Sequence, residues 1–179
     1  MLELIQFSKG KAAYYLGMIA VGPYLIALKA GLVSATTAKE KLLGYFFGKM
    51  PVTEFNSICK RFSEERLPQL IRPKAIAKIR EHQQHNDTVT VVSASAENWV
   101  SFWCVQNNIH YLTTKLEVVN DTLTGKLFGN NCNAEEKVNR IKQQYNLSDY
   151  TTIYCYGDTD GDKPMLALAS FANYKPFRN

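Results

Sequence analysis

The chain has 179 residues, of which 46% are hydrophobic and 21% are charged, and its formal net charge is +5. These values fit one packed domain, or a domain with a modest insertion, and exclude a largely disordered chain. Lys and Arg are spread along the chain without a polybasic block. Nucleic-acid binding is therefore not expected, although the positive charge would suit phosphorylated ligands or anionic surfaces.

The cysteines and the start of the chain both indicate a cytoplasmic protein. Cys59, Cys104, Cys132 and Cys155 show no CxxC spacing and no paired histidine, which argues against a zinc site and against a disulfide framework. The opening MLELIQFSKGK has no basic segment ahead of its apolar residues, so it does not have the pattern of a signal peptide.

Residues 12–33 form an apolar stretch with a single charge, Lys29, over 22 residues. A stretch of that length could cross a bilayer. Gly22-Pro23 interrupts it, and Tyr14, Tyr15 and Tyr24 lie within it, so the sequence predicts two apolar helices of a soluble helical unit. Contact with a membrane surface is the alternative interpretation.

Further helices are predicted up to about residue 86. One follows Ser34, and the next has Thr53 as its N-cap, with Phe55, Ile58 and Phe62 on one face. A third begins at Pro73, which suits the first helical position. Residues 1–70 are predicted to form a helical unit.

The pattern changes at Asp87, where a β-branched run over residues 87–93 predicts a buried parallel strand. Helices and strands then alternate along the chain. The predicted elements are a helix over 96–108, a short strand over 110–112, a hairpin over 115–128, a helix over 134–145, a strand over 152–156, a helix over 163–169 and a strand near 173–174. The hairpin is predicted to turn at Asn120-Asp121. Such alternation predicts an α/β core over residues 71–179, built on a parallel sheet with helices on both faces.

Three polar signals fall where ligands bind in such sheets, beyond the carboxyl ends of the strands. Ser93 ends the run VVS, Lys137 lies one turn into the helix NAEEKVNRIK, and three aspartates occupy five positions in DTDGD, residues 158–162. Carboxylates at a strand end are hard oxygen ligands suited to Mg²⁺. An EF-hand calcium loop is excluded, because Lys163 and Ala169 stand where its glycine and glutamate are required.

In this order the three signals resemble the second, third and fourth motifs of the haloacid dehalogenase superfamily. The resemblance is to the phosphoserine phosphatase-like branch, subfamily IB, and extends upstream through FSKGKAAYYLG, AKEKLLGYFFGKM and LIRPKAI. It implies a Rossmann-like parallel sheet with a helical, C1-type cap. It also implies a Mg²⁺-dependent phosphatase that acts on a small phosphorylated metabolite.

The resemblance assigns a role to each matched residue. Ser93, with the backbone at Ala94, would bind the phosphoryl group, and Lys137 would neutralise charge beside it. Asp158 would be the Mg²⁺ ligand, Asp162 would support the metal directly or through water, and Asp160 has no family role. Residues of the helical unit and its exit could contact the substrate: Arg61, Arg66, Arg72 and Lys74.

The family's first motif, DxDx(T/V), is absent from this chain, whose first aspartate is Asp87. That motif ends the first, central strand and supplies the nucleophile and the general acid/base, so the aspartyl-phosphate chemistry would lack both groups. DTDGD does not replace it, because it follows Ser93 and Lys137 in the order of the fourth motif. The expectation is a chain that begins beyond the first strand and is inactive as it stands.

Two other functions stay open from the sequence. The chain could be a non-catalytic relic of the fold that binds phosphate or a partner. It could also belong to a lipid-phosphate phosphatase, because the apolar residues 12–33 would lie in the cap, close to the active-site mouth.

Overall fold

The computed structural model describes residues 1–178 as an α/β protein with helices first and strands later. The helical part contains α1 (Leu2–Lys29), α2 (Ala35–Phe47), α3 (Val52–Glu65), α4 (Leu67–Leu70) and α5 (Pro73–Gln84). The remaining elements are β1 (Thr90–Ala96), α6 (Glu97–Gln106), β2 (His110–Val119), β3 (Thr122–Phe128), α7 (Glu135–Gln144), a 3-10 turn (Leu147–Asp149), β4 (Tyr154–Gly157), a 3-10 turn (Asp160–Asp162), α8 (Lys163–Leu166) and β5 (Phe171–Tyr174).

The strands form two separate sheets. One has the order β1-β2-β3, with β1 parallel to β2 and β2 antiparallel to β3, and the other pairs β4 with β5 in parallel. The predicted α/β class is confirmed. The predicted division into a cap over 1–70 and a core over 71–179 stays a prediction, and Asn179 lies outside the described residues.

Strand β2 is longer than the sequence suggested, because the predicted strand at 110–112 and the first arm of the hairpin are continuous. Its first half pairs with β1 and its second half pairs with β3. Asn120 and Asp121 both have positive φ, 49° and 55°, as the favoured two-residue hairpin turn requires. The predicted turn is therefore confirmed.

Strand β1 differs from its prediction at both ends. It begins at Thr90 and continues past Ser93 to Ala96, with a register shift against β2 between Ser93 and Ala96. The prediction that Ser93 ends the strand is wrong, because irregular pairing with β2 carries the extended backbone three residues further.

The prediction of a helix break at Gly22-Pro23 is also wrong. Helix α1 continues through Pro23 and is kinked instead at Gly10, whose φ of 78° and ψ of 167° are non-helical and divide α1 into two helical segments. A proline removes one hydrogen bond to the carbonyl four residues earlier, here Ile19. Ile19 is 76% exposed, so the lost hydrogen bond lies on the exposed side of the helix.

The N-cap of α3 is Pro51, so the prediction of Thr53 is wrong by two residues. The prediction that Phe55 and Phe62 face the core is confirmed, since both are buried. Ser34 caps α2, accepting the backbone N–H of Thr37 at 3.0 Å.

Helices α1, α2, α3 and α6 and the hairpin share a large hydrophobic core, and a smaller cluster around Trp103, Cys104 and Ile109 packs against α5 and β1. Helix α2 packs on β3, where the backbones approach so closely that a Cβ at Gly125 would lie 2.3 Å from Gly44 Cα. The buried residues of the large core come from α1, α2, α3, the α2–α3 loop, the end of β1, α6 and the hairpin: Leu4, Ile5, Val21, Leu42, Leu43, Phe46, Phe47, Met50, Phe55, Cys59, Phe62, Ala96, Trp99, Leu123 and Leu127. The four cysteines are free thiols, as predicted, and burial raises the pKa of Cys59 to about 12.

Gly10 provides a test of the α1 geometry. Its φ and ψ lie in a region that is essentially restricted to glycine. We expect Gly10→Ala to lower the free energy of unfolding by about 1–3 kcal/mol. Gly44→Ala is the matched control, because Gly44 is helical and has open space at Cβ, and it should raise stability by about 0.5–1 kcal/mol. Urea denaturation measures both, and equal effects of the two changes would contradict this geometry.

Candidate active site

Lys137 connects three elements at the edge of β1. Its side chain is almost fully buried, and Nζ donates to the Asp162 carboxylate Oδ1 at 2.8 Å and to the Val92 carbonyl at 2.7 Å. A buried ammonium is tolerated only with such partners, because burial removes its hydration. Lys137 therefore ties α7 to β1 and to the loop after β4.

Helix α7 is held in place so that Lys137 reaches this position. Arg140 donates to the backbone carbonyls of Thr113 and Asn130, and its Nε donates to Glu136 at 2.9 Å. Ala134, just before the helix, donates its N–H to the Gly161 carbonyl at 3.1 Å. A Cβ at Gly161 would lie 2.1 Å from the Asn133 side chain, so glycine permits this close approach of the two loops.

The Asp162 carboxylate is saturated by donors on both oxygens. Oδ1 accepts the Lys137 ammonium, and Oδ2 accepts the backbone N–H groups of Asp158 and Thr159 and the Thr159 hydroxyl, at 2.9–3.0 Å. Burial by itself would raise the pKa of Asp162, but the Lys137 and backbone donors outweigh it and hold the pKa at about 2. Asp162 is therefore ionised at neutral pH and fixes the backbone at residues 158–159.

Asp158 lies at the surface beside two arginines. Its Oδ2 is 3.2 Å from Arg72 Nη1 and 3.2 Å from Arg178 Nη2, and its side chain is 35% exposed. Ion pairs at this exposure contribute little to stability. The carboxylate can therefore exchange these partners for a cation at small cost.

The side chains around Asp158 can supply one carboxylate to Mg²⁺ but not a complete set of protein ligands. Within residues 1–178, no three His, Cys, Asp or Glu side chains converge as a preformed cage. Magnesium is commonly held by one or two carboxylates together with waters and substrate phosphate. Asp158 can supply such a carboxylate, whereas Asp162 is saturated by internal donors and supports the loop that carries Asp158.

Asp160 is separate from this arrangement. Its side chain is 83% exposed and its Oδ1 is 2.7 Å from Lys163 Nζ. It is a solvated turn residue, and it therefore provides a control for the other two aspartates.

Ser93 and Ala94 lie next to Val92 on β1, at the register shift. The Ser93 hydroxyl accepts the backbone N–H of Ser95 at 3.1 Å. The structure thus brings Lys137 and Asp162 into contact, places Asp158 on the same loop, and leaves Ser93 one residue from the carbonyl that Lys137 binds.

Lys39 is a residue that sequence reasoning missed. Its Nζ donates to the Ala94 carbonyl at 2.6 Å and to Asn131 Oδ1 at 2.5 Å, and burial lowers its pKa to about 8. The available signal was its spacing, since Lys39 lies three and four residues before the buried Leu42 and Leu43 on α2. A lysine on an apolar helix stripe indicates a buried polar partner.

The candidate substrate contacts of the helical part divide into two groups. Arg61 pairs with Glu65, and Arg66 pairs with Glu3. Arg72 and Lys74 instead line a shallow cleft of about 490 Å³ together with Pro73, Phe177 and Arg178, beside Asp158. The cleft is rich in cations and suits an anionic group next to the aspartate loop.

Comparisons with known proteins identify the family. Residues 1–167 match the model of the haloacid dehalogenase-like hydrolases. Protein CicA of Caulobacter vibrioides is 31% identical over 168 residues, which cover 90% of this chain and 73% of CicA.

Solved structures share the fold at low sequence identity. A protein of unknown function from Bordetella pertussis Tohama I has a TM-score of 0.77 at 20% identity, covering 93% of this chain and 77% of that chain. An unliganded probable phosphoserine phosphatase from Vibrio cholerae has a TM-score of 0.70 at 17% identity, covering 94% and 50% respectively.

The buried pair gives a stability prediction. Asp162→Asn leaves the Lys137 ammonium buried without its carboxylate, so we expect a loss of about 3–5 kcal/mol in the free energy of unfolding. Asp160→Asn, at the exposed position of the same loop, should change it by less than about 1 kcal/mol. Urea denaturation measures the free energy of unfolding of the two variants. Similar losses in both would show that Lys137 and Asp162 are not a buried pair.

The dependence of stability on pH should also report the ionisation of the Asp162 carboxylate. The pKa of Asp162 is about 2 in the folded protein, below the ordinary value of about 3.9 in an unfolded chain. The unfolded state therefore binds the proton first, and the contribution of Asp162 to stability is lost as pH falls from about 4 to about 2. The difference in urea midpoint between wild type and Asp162→Asn should shrink over that interval. A difference that stays constant would contradict the lowered pKa.

Proposed function

Because the chain belongs to the haloacid dehalogenase-like hydrolase family, we propose that it is part of a Mg²⁺-dependent phosphatase of small phosphorylated metabolites. The observation that carries this proposal is the buried Lys137 ammonium, held between the edge of β1 and the Asp158–Asp162 loop. A fixed positive charge beside a candidate metal ligand suits phosphoryl transfer, which depends mainly on positioning and on charge stabilisation.

The proposed roles follow the placement of the side chains. Ser93 and the backbone at Ala94 bind the phosphoryl oxygens, and Lys137 balances their negative charge. Asp158 would hold Mg²⁺, and Asp162 would keep the Asp158 backbone and Lys137 in position. When bound, Mg²⁺ supplies further positive charge against the phosphoryl oxygens.

The gap between the two sheets supports an additional strand in the active protein. His110 of β2 donates its N–H to the Val89 carbonyl. Because successive carbonyls of a strand point to opposite sides, the Val92 carbonyl faces away from β2. Lys137 binds the Val92 carbonyl on that open side. Strand β4 pairs with β5 and has no ladder to β1. A strand between β1 and β4 would join the sheets and bring its carboxyl end to Lys137.

We propose that this strand carries the aspartate pair that the chain lacks. One carboxylate oxygen would attack phosphorus as the bond from phosphorus to the ester oxygen breaks, and the second aspartate, as a carboxylic acid, would give its proton to the leaving oxygen. Water would then cleave the aspartyl-phosphate and release inorganic phosphate. We propose that this reaction takes place in the cytoplasm, a reducing compartment that suits the four free thiols.

The test compares this chain with a form extended by the in-frame codons upstream of Met1, using p-nitrophenyl phosphate with Mg²⁺ or EDTA. We expect background turnover by the chain alone and Mg²⁺-dependent turnover by an extended form that contains a DxDx(T/V) strand. In the extended form Asp158→Asn should lower turnover by about 100-fold or more, whereas Asp160→Asn should not.

Three results would overturn parts of this proposal. Full activity of Asp158→Asn would remove the metal assignment, and Mg²⁺-dependent turnover by the chain alone would place the nucleophile elsewhere. An extended form that is folded, lacks the motif and is inert would instead favour a non-catalytic member of the family.

A further inference from the structure

Helix α1 is apolar on both of its faces, but one face is uncovered. Gly17 and Val21 are buried, and a Cβ at Gly17 would lie 2.1 Å from Phe46 of α2. The other face exposes Leu16, Ile19 and Ile26 by 66%, 76% and 71%. A helix that is hydrophobic all round normally has both faces covered.

The exposed residues form one continuous stripe. Tyr15, Leu16, Ile19, Pro23 and Ile26 recur at the three- and four-residue spacing of a single helix face. At 1.5 Å per residue the stripe is about 16 Å long. Such a stripe exceeds the singly scattered apolar residues that are ordinary on protein surfaces and marks an interaction site.

The charged residues of α1 after Glu3 are all positive. They are Lys9, Lys11 and Lys29, with no acidic residue among them. Lys11 and Lys29, both exposed, lie on either side of the stripe along the helix. An apolar helix face accompanied by lysines is the pattern of helices that lie in the surface of anionic membranes.

We propose that α1 docks the protein on an anionic lipid surface, with the stripe among the acyl chains and Lys11 and Lys29 at the headgroups. By length and composition the helix could cross a membrane, since its most apolar 18-residue window has a mean hydropathy of 1.3. Crossing would strip Gly17 and Val21 from their contact with α2, whereas lying at the surface keeps that contact. The helix therefore lies on the membrane rather than through it.

The same charges disfavour a second copy of the chain as the occupant of the stripe. Two α1 helices packed antiparallel would bring Lys11 of one copy towards Lys29 of the other, and parallel packing would bring each lysine towards its equivalent. No acidic side chain between Leu4 and Lys39 is present to neutralise them. Like charges brought together across an interface cost binding energy.

The test is co-sedimentation of the full chain with vesicles of phosphatidylcholine, with and without phosphatidylglycerol. We expect binding that increases with phosphatidylglycerol and weakens with salt. Ile19→Glu should weaken binding to anionic vesicles by about tenfold or more. Val105→Glu is the matched control, since Val105 is a 67% exposed apolar residue on α6, and it should leave binding unchanged.

Replacing both Lys11 and Lys29 with alanine should weaken binding by about 30-fold and reduce the dependence on salt. Circular dichroism checks that each variant remains folded. Failure to sediment with either vesicle would overturn membrane docking, as would equal loss in Ile19→Glu and Val105→Glu. A dimer in light scattering that Ile19→Glu dissociates, without lipid binding, would assign the stripe to self-association instead.

Discussion

The organisation of the site depends on one buried ammonium. Lys137 is 6% exposed, and its charge is compatible with that burial only because Asp162 and the Val92 carbonyl accept its hydrogen bonds. The three groups come from α7, from the loop after β4 and from β1. Lys137 thus links the two sheets at the point where the phosphoryl group is proposed to bind.

The two aspartates that the family resemblance associates with the metal have different environments. Asp162 has its negative charge balanced internally, and it holds the backbone of the loop. Asp158 has exposed arginine partners that a cation can replace. One short loop can therefore contain both a structural carboxylate and a candidate metal ligand. The repulsion between the two carboxylates is relieved because Asp162 pairs with Lys137 and Asp158 pairs with Arg72 and Arg178.

Local sequence patterns predicted those features that local physics determines. The turn at Asn120-Asp121 needs two residues that tolerate positive φ. The first position of a helix does not use its backbone N–H, so Pro73 suits the start of α5. Lys137 and the aspartate loop were found through a resemblance whose motifs occur in a fixed order. Within the acidic loop, the sequence also separated the solvated Asp160 from its neighbours.

The features that the sequence did not predict depend on distant contacts or on solvent. Lys39 binds Ala94, 55 residues away, and Arg72 and Arg178 contact Asp158 from positions far before and after it in the sequence. The continuation of α1 through Pro23 occurs on the exposed face of the helix, and the extension of β1 past Ser93 depends on its pairing with β2. The local spacing indicated only that Lys39 is buried. It did not indicate the partner of Lys39, and it carried no signal for the other features.

The most direct test of the central role of Lys137 is a double-mutant cycle by urea denaturation, with Lys137→Met, Asp162→Asn and the double variant. If the pair is buried and coupled, the double variant should be more stable than the sum of the single losses predicts, by about 0.5–3 kcal/mol. Strictly additive losses would contradict the account, because they would show that the ammonium and the carboxylate do not depend on each other.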